Sequence, residues 1–99
     1  MENEKKFMQQ HEVIVILKRI KETLEYADKY LRMHQDYYRG LYNKNKIVKY
    51  GNVLNDDSVC ILLKAHSDNE FEYIIMNDPA IDKLFEIANV IPFLCVGHT

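Results

Sequence analysis

Few residues in this chain are of types able to do chemistry, and their spacing thins them further. His66, Asp68 and Glu70 alternate within His66-Ser67-Asp68-Asn69-Glu70. An imidazole and two carboxylates are groups that a divalent cation accepts. The same run also suits a hairpin turn, because Asp and Asn side chains bond locally to the backbone. The turn is the preferred reading, and no metal or other cofactor is expected. A metal-dependent enzyme resting on His66, Asp68 and Glu70 is kept as a third functional reading.

Cys60 and Cys95 lie among Val, Ile, Leu and Phe, without the basic neighbour that makes a reactive thiolate, so both are expected as reduced core thiols. Ser58 and Ser67 fall in predicted turns and lack the Gly-x-Ser-x-Gly frame of a hydrolase elbow. Gly40, Gly51 and Gly97 never cluster, which leaves no phosphate loop or dinucleotide fingerprint. No catalytic residue is assigned, and a non-enzymatic protein is expected.

Residues suited to making contacts are more plentiful. Val13, Leu17, Ile20, Leu24, Ala27, Leu31, His34, Tyr38 and Leu41 follow a four-three spacing, apolar at every position but His34. A polar residue in such a seam can fix the register of a helix pair. Leu17, Leu24, Leu31, His34 and Tyr38 are therefore candidates for self-association, and a homodimer is expected. Tyr37, Arg39, Tyr42, Lys44 and Lys46 form a basic aromatic patch. Tyr and Arg are enriched at protein interfaces, while aromatic and basic groups together also suit single-stranded nucleic acid. Asp56, Asp57, Asp68, Glu70 and Glu72 supply carboxylates for an acidic surface facing a basic partner.

These groups need elements to hold them. The four-three spacing predicts an amphipathic helix over about 5–39, closed by Gly40. At 1.5 Å per residue it would span about 50 Å, longer than a globule of this size is wide, so part of it should project or pair. Strands are predicted at 47–50, 59–65 and 70–76, the last two as an antiparallel hairpin around 66–69. Asp78-Pro79 predicts the start of a helix over 78–89, and a last short strand follows at 93–96. The expected fold class is α+β, in the order α-β-β-β-α-β. A long N-terminal helix packs on a small, mainly antiparallel sheet within a single domain over 1–99, and the sheet and second helix occupy about 46–96.

At 99 residues, 47% hydrophobic and 28% charged, the chain has room for one core. No apolar run approaches the roughly 20 residues of a membrane span, and the first residues do not read as a leader, so a cytoplasmic protein without a membrane partner is expected. The net charge of −2 divides into +4 over 1–50 and −6 over 51–99. The expected function is a small non-enzymatic protein-binding module of the inhibitor, antitoxin, immunity or phage counter-defence type. The alternative is a small nucleic-acid-binding regulator using the region from Arg32 to Tyr50.

Overall fold

Val13-Ile14-Val15-Ile16-Leu17 is an unbroken apolar run in which four of the five residues are β-branched. Stiff branched side chains crowd a helix and fit a pleated strand. The computed structural model, which describes residues 6–20 and 25–93, accordingly places a strand here, β1 (Lys6–Arg19). The predicted helix over 5–39 thus gives way in its first half to β1. Its four-three spacing was satisfied in 13–17 only because every residue there is apolar.

The later half of that spacing does mark a helix, α1 (Ala27–Asn43). Ala27, His34 and Tyr38 are buried and Leu31 and Leu41 pack beside them, as the seam requires. Gly40 does not close the helix, which continues to a C-cap at Lys44. β2 (Ile47–Asn52) and β3 (Ser58–Ser67) then form a hairpin whose turn passes through Asn55 at a φ of 65°.

The segment predicted as the strand 70–76 is a helix, α2 (Asp68–Met76). Ser67 caps it by accepting from the Glu70 backbone N–H, while Glu70 Oε1 accepts from the His66 N–H. This reciprocal arrangement is a variant of the capping box, and its Ser-x-x-Glu signature overrode the alternation of Phe71, Tyr73 and Ile75. The predicted helix over 78–89 is likewise absent. Asp78 Oδ1 accepts from the Ala80 N–H at 2.8 Å, so its capping ability closes a turn instead. Ile81, Leu84 and Phe85 are buried from that turn, and the chain leaves it as β4 (Phe85–Phe93). Pro92 sits within β4, an edge strand, where a proline is tolerated. The predicted last strand overlaps β4 at Phe93, and 94–96 lie outside the described residues.

The fold class is α+β, with the order β-α-β-β-α-β in place of α-β-β-β-α-β. The sheet runs β2-β3-β1-β4 with every neighbouring pair antiparallel. That is the split arrangement of ferredoxin-like folds. Val13, Val15 and Leu17 on β1 and Ile61, Leu63 and Ala65 on β3 point to the face covered by α1 and α2, and all are at most 1% exposed. No helix among the described residues is long and apolar enough to cross a membrane.

Candidate functional site

Alternation puts the intervening residues of each strand on the other face, which neither helix covers. Ile14 stands opposite Leu62 on β3 and Ile91 on β4, and Ile16 stands opposite Cys60 and Asn89. Ile14, Ile16, Cys60 and Leu62 are half-buried, while Ile91 and Phe93 are 41% and 42% exposed. Cys60 is therefore a half-buried thiol on the open face and not the sealed core thiol expected. Cys95 lies outside the described residues. Charges frame the apolar centre in opposite pairs, Glu12 against Lys64 and Lys18 against Glu86.

A second feature lies on the covered face. His34 of α1 is buried, and its Nδ1 lies 2.8 Å from Asp78 Oδ2. The Asp78 side chain is wholly buried and its other oxygen holds the Ala80 N–H, so the carboxylate is fixed by backbone on one side and imidazole on the other. The His34 ring packs between Tyr38, edge-on at 4.9 Å, and Phe85, tilted at 4.6 Å. Tyr37 donates to the Ile74 carbonyl, tying α1 to α2. Burial, then the Asp78 and Tyr73 charges, push the Tyr37 phenol up to about 12. The same burial and carboxylate raise the Tyr38 phenol further still, and its hydroxyl, sealed from solvent, makes no well-formed hydrogen bond.

Beside His34 a cavity of about 440 Å³ opens where β1 ends and β3 and β4 begin, with Arg19, Gln35, Tyr50 and Phe85 in its walls. Asp56 and Asp57 stand at it in the β2–β3 turn, where Asp56 is engaged by the Asp57 N–H and the Ser58 hydroxyl.

The self-association seam is not one exposed stripe. Leu17 is sealed on β1, Leu31 packs against the core, His34 and Tyr38 are buried on α1, and Leu24 lies outside the described residues. Of the basic aromatic patch, Arg39, Tyr42, Lys44 and Lys46 are exposed along the end of α1 and the turn after it, while Tyr37 is half-buried. Arg39 pairs with Asp36 at 2.9 Å, and the Tyr42 and Tyr50 rings lie 6.1 Å apart.

The acidic surface is divided. Asp56 and Asp57 precede β3 whereas Asp68, Glu70 and Glu72 follow it, and ten strand residues at about 3.4 Å each set the two groups roughly 30 Å apart. His66 is the penultimate residue of β3, and Glu70 Oε1 is already engaged in accepting from the His66 backbone N–H to cap α2. Among the described residues no group of three His, Cys, Asp or Glu is arranged to hold a metal ion. Asp78 as the partner of His34 was not read from sequence. The signal available was general: a polar residue inside an apolar seam must find a partner once buried.

No protein-family model matches the chain, and no curated protein matches it. A solved structure described as "Structural Genomics, protein YJCS" is similar over 88% of this chain and 99% of that one, with a TM-score of 0.56 and 10% identity. The likeness is one of fold.

Proposed function

We propose that the chain is a protein-binding module whose first partner is a second copy of itself, docked face to face on the open side of the sheet. The reading rests on Ile14, Leu62 and Ile91, which lie in register on three adjacent strands of a face that neither helix covers. The outward face of an antiparallel sheet is ordinarily polar, and an exposed apolar patch rimmed by charge is characteristic of an interface. The rim favours a second copy as occupant. Glu12 with Lys64 and Lys18 with Glu86 give it both signs, so that it can complement itself across a twofold axis, whereas a nucleic acid would call for one sign. Such a dimer leaves Arg39, Tyr42, Lys44 and Lys46 on the helical side, facing outward on both copies and open to a further protein of the kind an inhibitor or immunity factor binds.

Light scattering on eluted protein tests this. The expected result is twice the mass of the chain, falling to the single mass in Ile91→Lys with the circular dichroism unchanged. A wild-type monomer at every concentration would overturn the proposal.

A further inference from the structure

The two edge strands of the sheet differ. β4 carries Pro92, which has no N–H to offer a further strand. β2 ends the sheet on the other side and contains no proline. Beyond the register shift between Ile47 and Lys49 its ladder with β3 is regular, and the Val53 N–H donates to the Ser58 carbonyl at 2.9 Å. Pairing alternates along an antiparallel ladder, so Lys49, Gly51 and Val53 turn their backbone groups toward β3 while Tyr50 and Asn52 turn theirs outward. Among the described residues no further strand meets them, and 49–52 are all exposed. Lys49 stands opposite Leu62 and so belongs to the open face of the sheet. Tyr50 stands opposite the buried Ile61, on the helical side, with its ring 6.1 Å from that of Tyr42. The charge along this edge has one sign: residues 43–53 include Lys44, Lys46 and Lys49, all exposed, and no carboxylate.

We propose that the outer edge of β2 takes up an extended segment of a partner protein as a fifth strand, with acidic side chains beside Lys49 alternating with apolar ones beside Tyr50. An unpaired edge is a template for such addition, in which the backbone supplies the hydrogen bonds and alternate side chains supply the selectivity. The lysines select the occupant. A second copy adding through its own β2 would set lysines against lysines, which opposes that pairing, whereas carboxylates on the added strand complement them. A nucleic acid would match the charge but has no peptide backbone to pair in register with Tyr50 and Asn52. This names a further partner for the protein-binding reading without depending on the dimer, since the edge of β2 and the centre of the open face are separate surfaces.

The probe is an end-blocked seven-residue peptide that alternates Glu with Val. Its controls are the same peptide methylated at every backbone nitrogen, a peptide with Lys in place of Glu, and a short oligothymidylate. Each is titrated into the wild-type chain by calorimetry, and amide hydrogen exchange locates the contact. The expected result is saturable binding of one Glu-Val peptide per chain, with exchange slowed at the Tyr50 and Asn52 N–H groups. The methylated peptide, unable to donate, should not bind saturably. The Lys peptide should bind about tenfold more weakly, as should the Glu-Val peptide to the double variant Lys46→Glu, Lys49→Glu, because a few exposed ion pairs are replaced by repulsion. Absence of saturable binding would overturn the proposal, as would equal affinity of the methylated peptide or protection confined to residues outside β2. Tighter binding of oligothymidylate than of the peptide would assign the lysines to nucleic acid instead, and protection of Tyr50 and Asn52 that is present in the free chain and lost on dilution would assign the edge to a second copy. The wild-type comparisons decide the matter even if the double variant fails to fold, and the dimer mass is read independently of them.

Discussion

The two faces of the sheet are built from the same kinds of residue and are treated very differently. Val15 and Leu63 are sealed, while their immediate neighbours Ile14 and Leu62 are only half-buried. What separates them is the cover: α1 and α2 close one face, with Ala27, Tyr38, Ile74 and Ile75 completing a common core. The covered face also carries the paired His34 and Asp78, each held in one geometry. On the open face neither helix packs on the apolar residues, which among the described residues have their strand neighbours. An apolar residue type thus records a need for cover, and the two helices meet that need on one side alone.

The sharpest way to break this contrast is to cut the same side chain on each face. In an Ile91→Lys background, where association is removed, Leu63→Ala should cost about 2–5 kcal/mol in urea unfolding, as expected for truncation in a packed core. Leu62→Ala, one residue away and facing outward, should cost less than about 1 kcal/mol there. In the otherwise wild-type chain the same Leu62→Ala should weaken dimerisation. Equal costs for the two truncations in the Ile91→Lys background would mean that a single chain seals both faces.

A smaller effect probes the polar part of the covered face. Asp78→Ala strands two donors, His34 Nδ1 and the Ala80 N–H, and a buried donor without a partner costs about 1–3 kcal/mol. The imidazole can recover part of this through water in the adjacent cavity, so a loss near the lower end is expected by chemical denaturation. No loss at all would show that the pair does not hold α1 to the 78–80 turn.

How far the sequence discloses this arrangement depends on the range of the interaction. The seam through Ala27, Leu31, His34, Tyr38 and Leu41 is a local pattern and marks α1 directly. The hairpin of β2 and β3 is equally local, its turn carrying Asn55-Asp56-Asp57. Over 13–17 a uniformly apolar run satisfies helical and strand periods alike, and only β-branching distinguishes them. At 67–76 two local signals conflict, and the capping chemistry of Ser67 and Glu70 prevails over the alternation that follows. His34 and Asp78 are 44 positions apart, and no spacing rule connects them. The open face is also a product of topology, because β1 must lie between β3 and β4 before Ile14, Leu62 and Ile91 become neighbours.

The mildest variants on the covered face are the tyrosines that flank the pair. Burial and the Asp78 carboxylate hold the Tyr37 phenol at about 12 in the folded chain against an ordinary value of 10.0, with Tyr38 raised further. The folded state therefore keeps protons that the unfolded state releases. The stability tied to them is complete below about pH 10 and is lost as pH rises through 10 toward 12. Tyr38→Phe removes a buried hydroxyl that has no well-formed partner, so it should change neutral-pH stability by less than about 1 kcal/mol and flatten the alkaline slope. Tyr37→Phe gives up the bond to the Ile74 carbonyl and should cost about 0.5–1.5 kcal/mol at neutral pH, while also reducing the slope. Urea midpoints measured from pH 8 to 11 separate the two. If the wild-type slope persists in both single variants and in their combination, groups elsewhere than α1 set the alkaline limit, and the covered face does not owe its titration to the phenols beside Asp78.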